Sequence, residues 1–160
     1  MTVRVQQMDF DVGAELSALT VGNAAIGGVC CFTGLVRDLH PQHGEVPGTV
    51  RALTLEYYPG MTERQLETIE AEARSRWPLE ATLIIHRYGR MEPGEHIVMV
   101  ACASPHREAA FDACRFLMDW LKSKAPFWKL EETDVGNRWV DSRRSDEEAA
   151  RRWEQPHSRS

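Results

Sequence analysis

The sequence predicts an α+β fold, on three observations. Residues 50–58 and 127–133 alternate apolar and polar side chains at the two-residue period of a strand. Leu66, Ile69, Ala73 and Trp77 instead recur at the three- and four-residue intervals of a helix with one buried stripe. The two kinds of segment follow one another without a regular βαβ rhythm, and Glu92-Pro93-Gly94-Glu95 carries the turn signal of a hairpin. At 160 residues the chain can bury a core of its own, and it reads as one domain over residues 1–153 with a disordered tail over 154–160.

The elements follow in order. Residues 12–20 form a short helix with Leu16 and Leu19 on one side. Residues 24–36 read as a buried strand, whose glycines suggest a bulge or a close backbone approach. Residues 38–49 hold two prolines, two glycines, His40 and His43, and read as a mobile loop. The strand at 50–58 stops at Pro59-Gly60, after which Thr62 as N-cap and Gln65 open a helix that ends before Pro78. Strands at 80–88 and 95–103 flank the hairpin turn.

Ser104 as N-cap and Pro105 as first helical residue begin the longest helix. Its stripe is Ala110, Ala113, Cys114, Leu117 and Leu121, and Pro126 ends it. In the strand that follows, Trp128 and Leu130 take the buried face, opposite Phe127, Lys129 and Glu131. A turn at 134–136 leads to a short strand at 138–140, and residues 145–153 read as a charged surface helix.

Composition narrows the function. A formal charge of −5 argues against a general nucleic-acid binder. No apolar stretch approaches the roughly 20 residues that span a bilayer, and the first residues lack a signal-peptide pattern, so a cytoplasmic protein is expected. Cys30, Cys31, Cys102 and Cys114 form no CxxC pair and no histidine sits at zinc-finger spacing. They read as small core residues, with no metal expected.

The basic residues are unevenly chosen. All three lysines, Lys122, Lys124 and Lys129, fall in one eight-residue window, and the other sixteen cations are arginines. Lysine can lose its proton when buried or crowded, whereas guanidinium does not. The window is therefore either chance clustering or a place where an amine is wanted. Lys129 shares a strand face with Glu131 and lies beside Lys122 at the helix end, while Lys124 points elsewhere. His106 and Arg107 sit at the start of the long helix, where unpaired N–H groups favour an anion. Cations there are mildly unfavourable, which asks for a negative partner. Arg37 ends the first long strand at the edge of the loop.

These segments together resemble the large, catalytic subunit family of molybdopterin synthase. The resemblance rests on residues 32–37, 53–62, 73–78, 85–87, 104–107 and 138–140, and most specifically on residues 116–129 with Lys122-x-x-Ala-Pro-Phe-Trp-Lys129. It covers nearly all of residues 3–153; Leu35 departs from it, where members often carry a lysine. The resemblance implies an α/β hammerhead fold with an additional antiparallel β subdomain. It implies a sulfurtransferase that converts cyclic pyranopterin monophosphate (precursor Z) to molybdopterin in molybdenum cofactor biosynthesis, without a metal or organic cofactor. Sulfur would come from the thiocarboxylated Gly-Gly C-terminus of a small ubiquitin-like subunit, in a heterotetramer built on a homodimer.

Under that resemblance Arg37, His106 and Arg107 bind the substrate's anionic groups. Lys122 holds the thiocarboxylate tail, and Lys129, positioned by Glu131, acts as acid or base. Arg107 and Lys122 stand fifteen residues apart on one helix, which is about 22 Å at 1.5 Å per residue. A single site using both needs the helix start of a second chain, so a pocket shared across a homodimer is expected. Two other readings are a non-catalytic docking protein for a ubiquitin-like sulfur carrier and a Schiff-base lysine enzyme.

Overall fold

The structure is a computed structural model that describes residues 3–37, 50–140 and 144–154. In chain order its elements are β1 (Val3–Gln6), α1 (Val12–Thr20), β2 (Gly28–Leu35), β3 (Val50–Tyr57), α2 (Met61–Arg76), β4 (Ala81–Arg87), β5 (Gly89–Met91), β6 (His96–Ser104), α3 (Arg107–Lys124), β7 (Phe127–Thr133), β8 (Gly136–Val140) and α4 (Arg144–Arg151). The strands form two sheets, ordered β1-β4-β6-β2 and β5-β3-β7-β8. Among the described residues only β1 and β4 pair in parallel; the other pairings are antiparallel. The fold is α+β, as the interspersed pattern predicts. The loop expected over residues 38–49, with His40 and His43, and the tail beyond residue 154 lie outside the described residues.

The first sheet is covered on both faces, which explains its long apolar strands. Ile84 of β4 and Val98, Val100 and Cys102 of β6 pack in the cluster that α2 and α3 build with Leu66, Ile69, Phe116 and Leu117. Leu83, Ile85, Met99 and Ala101 point the other way, toward Phe10 and toward Leu16 and Leu19 of α1. β5 and β1 were not anticipated, since three and four residues are too few to show a period.

Several expectations need correction. The strand expected over 24–36 is shorter and lies at a sheet edge, so it is only half covered: Val29, Phe32 and Leu35 are exposed. Two of its glycines, Gly27 and Gly34, do mark close approach. A Cβ on Gly27 would lie 2.2 Å from the Pro105 carbonyl oxygen, and one on Gly34 would lie 2.8 Å from Val98 Cγ1, beside a register shift.

Thr62 is not the cap of α2; Gly60 is, with its N–H donating to Glu63 Oε2 at 2.6 Å. Thr62 is buried, accepts from the Tyr58 N–H and donates to the Pro126 carbonyl, tying the start of α2 to the end of α3. Ser104 is not the cap of α3 either. It remains paired with Gly28 as the last residue of β6, so the helix starts later, with His106 as N-cap. Ser104 Oγ still accepts from the His106 N–H, at 3.1 Å.

Trp128 is exposed and Glu131 buried, the reverse of the expected faces of β7. The inner face of the second sheet closes on the end of α3 and on β4, and takes Phe127, Lys129 and Glu131 with it. Trp128 packs outside, edge-on to Tyr58 with ring centroids 4.7 Å apart. The charged helix α4 docks rather than floats. Ala150 is buried, its carbonyl accepts from Trp120 Nε1, and Trp153 Nε1 donates to Asp119 at 2.7 Å. Among the described residues, no helix is long and apolar enough to cross a membrane.

Candidate active site

The two lysines reach one place from different elements. α3 carries Lys122 in its last turn and stops at Ala125, ahead of Pro126, so the chain reverses at once into β7. Pleat alternation then sets Phe127, Lys129 and Glu131 on the inner face of β7. These three residues and Lys122 line a cavity of about 290 Å³ between the sheets, which Arg37, two residues past the end of β2, and His86 of β4 complete. Arg37, Lys122, Lys129 and Glu131 are thus brought together.

Glu131 has a defined partner. Arg138 faces it on β8, and Arg138 Nε donates to Glu131 Oε2 at 2.8 Å. The carboxylate is buried, so this hydrogen bond offsets much of its desolvation. Asp146 of α4 also lines the cavity. With Glu131 held by a guanidinium, the cations Arg37, Lys122 and Lys129 outweigh the acidic groups of the wall, which suits an anionic ligand.

His86 belongs to the same wall, and the sequence reading gave it no role. It shares a face of β4 with Ile84, toward α3, and is buried. Its ring stacks on Phe127 with centroids 3.7 Å apart and planes 17° from parallel. Nδ1 lies 2.8 Å from the Arg87 carbonyl oxygen. Burial depresses its pKa to about 3; the hydrogen bond to Arg87 opposes that shift, and the charges of Lys122 and Lys129 add to it. The signal available in the sequence was a histidine closing the apolar run 83–85.

His106 and Arg107 do not join these residues. They are exposed at the opposite end of α3 and do not line the cavity. Lys124 is also outside it, with its ammonium 4.4 Å from the centroid of the Trp120 ring, a cation–π contact.

The cysteines are free. Cys102 and Cys114 are buried, and Cys30 and Cys31 partly so. Burial pushes the Cys102 thiol up to about 12, far from a reactive thiolate. Among the described residues, no group of three or more His, Cys, Asp or Glu is placed to hold a metal ion.

Comparison with known proteins adds to this geometry. A family model described as MoaE protein matches residues 5–124. The chain is 57% identical over 155 residues to the molybdopterin synthase catalytic subunit of Pseudomonas aeruginosa, covering 97% of this chain and 100% of that protein. Its structure is similar to that of the molybdopterin biosynthesis MoaE protein from Burkholderia ambifaria, with a TM-score of 0.79 and 51% identity over 95% of this chain and 97% of the other. It is also similar to the crystal structure of molybdopterin synthase from Staphylococcus aureus, with a TM-score of 0.76 and 28% identity over 86% and 96% of the two chains. A lysine pair on the inner wall of a cavity, a fold shared over nearly its whole length, a family model over residues 5–124 and majority identity to a protein named as a catalytic subunit agree: the chain belongs to the MoaE family.

Proposed function

We propose that this chain is the catalytic subunit of a molybdopterin synthase, a sulfurtransferase of molybdenum cofactor biosynthesis acting in the cytoplasm through one domain over residues 1–153. It converts cyclic pyranopterin monophosphate to molybdopterin with sulfur from the thiocarboxylated C-terminus of a small ubiquitin-like subunit. In each transfer the thiocarboxylate sulfur forms a C–S bond to a side-chain carbon of the pterin as a C–O bond at that carbon breaks, the oxygen leaving as water or with the opened phosphate ester. The acyl C–S bond is then cleaved with oxygen from water, leaving a carboxylate on the carrier. The dithiolene needs this twice, so two charged carriers act in turn.

The convergence of Arg37, Lys122 and Lys129 on one cavity carries this reading. A thiocarboxylate tail and a cyclic phosphate are both anions, and amines beside them neutralise charge and supply protons. Lys122 holds the tail, and Lys129 serves as acid or base on the pterin side, with Glu131 and Arg138 fixing the strand wall beside it. Arg37 binds the substrate's anionic edge. His106 and Arg107 are about 22 Å of helix from Lys122, so they serve the site of a second copy of the chain in a homodimer flanked by two small subunits.

The experiment is sulfur transfer from a thiocarboxylated small subunit to cyclic pyranopterin monophosphate, with carrier binding measured in parallel. Lys122→Ala and Lys129→Ala are each expected to lower the transfer rate about 10²–10³-fold, the scale of a lost transition-state donor, while the carrier still binds. Transfer that survives both changes would remove the lysines from the mechanism. Binding without any transfer by the unaltered chain would favour a docking protein.

A further inference from the structure

We propose that His86 is a positioning residue of this pocket: its Nε2 accepts a hydrogen bond from the ammonium group of Lys122 and fixes that amine where the thiocarboxylate is bound. The inference rests on the function proposed above and adds a residue that neither the lysine cluster nor the anion-binding groups include.

The tautomer follows from the backbone contact. Nδ1 is 2.8 Å from the Arg87 carbonyl oxygen, which can only accept, so Nδ1 carries the proton. In a neutral ring Nε2 is then the acceptor. The ring is held neutral by burial and by the two lysine charges around it. The plane of the ring is set by its stack on Phe127, and its rotation by the bond to Arg87. The direction of the Nε2 lone pair is therefore fixed by two contacts that do not involve the cavity's ligand.

Lys122 is the amine this acceptor serves. His86 faces the side of β4 that α3 covers, Lys122 is in the last turn of α3, and both line the cavity. A lysine side chain has four rotatable bonds and no directional preference of its own, so a fixed acceptor narrows where its charge sits. The choice of imidazole has a chemical reason. A carboxylate at this position would neutralise the ammonium and weaken its hold on an anion. A neutral acceptor orients the ammonium and leaves its charge intact.

Two near-isosteric variants separate this role from a structural one. Glutamine places its amide near the position of Nε2, whereas asparagine places its amide near Nδ1 and keeps the bond to the Arg87 carbonyl. His86→Asn is expected to lower the rate of sulfur transfer about 10- to 100-fold with carrier affinity unchanged, as for a misplaced catalytic group, and His86→Gln to recover most of the rate. A histidine that only caps its own backbone predicts the opposite order. Equal activity of the two variants, or a better Asn variant, would overturn the proposal.

Should neither variant fold, imidazole ¹⁵N shifts on the intact protein decide. Lys122→Met is expected to move the Nε2 resonance and leave Nδ1 in place, and an unmoved Nε2 would overturn the proposal. If the unaltered chain with its charged carrier transfers no sulfur, the functional reading fails instead, and the ¹⁵N result still reports on the contact itself.

Discussion

The His86 and Phe127 rings lie 3.7 Å apart between centroids, joining the next-to-last residue of β4, a central strand of one sheet, to the first residue of β7 in the other. The cavity wall is therefore anchored to the core at the residue two positions before Lys129. Phe127→Leu keeps an apolar side chain and removes the stack. It is expected to cost about 0.5–1.5 kcal/mol in urea unfolding, and the cost should shrink when His86 is already replaced by leucine. An undiminished cost in the double variant would show that the two rings are not coupled.

Acid should destabilise the protein through His86. The folded ring is held at about 3 by burial, and by the Lys122 and Lys129 charges, against an ordinary 6.5. Between those values the unfolded chain binds a proton that the folded chain does not, so stability falls as pH falls. The contribution is fully present above 6.5 and declines by about 1.4 kcal/mol per pH unit below it. Denaturant unfolding between pH 7 and 4.5 checks this: His86→Gln should show a shallower decline than the unaltered protein, and parallel curves would contradict it.

Shared sites predict complementation. Arg107→Ala and Lys122→Ala each damage every site in a homodimer, but a mixed dimer keeps one intact site, made of Lys122 from one chain and Arg107 from the other. Co-refolding the two inactive variants in equal amounts should restore about a quarter of full activity, since half the dimers are mixed and each has one working site. No recovery would place Arg107 outside the site that Lys122 serves.

The Glu131–Arg138 pair supports the wall that carries Lys129. Its Nε···Oε2 distance is 2.8 Å, and Glu131 is buried while Arg138 is partly exposed. Arg138→Ala leaves a buried carboxylate without this donor and is expected to cost about 1–3 kcal/mol in urea unfolding. Arg138→Lys should recover part of the loss, since a lysine supplies charge without the planar guanidinium fork. A loss below 0.5 kcal/mol, the scale of an ordinary surface change, would mean the pair is not a structural support.

Much of this was legible in the chain. Periodicity located α1, α2, α3, β3 and β7 because each turns one side toward the core, fully buried or, in α1, partly covered, and such one-sided packing writes a period into the residues. The lysine window singled out Lys122 and Lys129, which both line the cavity, because the rest of the chain uses arginine. Helix caps were less legible. Thr62 and Ser104 have the residue type of an N-cap, but Thr62 bonds the chain at Pro126 and Ser104 stays in a strand pair with Gly28, contacts made by residues distant in sequence. His86 escaped notice because a lone histidine beside an arginine has no pattern until β4 and β7 meet.

By itself the sequence determined most of the longer elements, the α+β class and the amine cluster, since local period, turn chemistry and residue choice act over a few neighbours. Only the tertiary structure decided which face of β7 turns inward, that Glu131 is buried on Arg138 while Trp128 is exposed, and that His86 stands in the same wall as the lysines. It also placed His106 and Arg107 away from that wall, at the other end of a rigid helix. These are outcomes of packing two sheets around α3, and packing is settled by the whole core at once rather than by any segment of it.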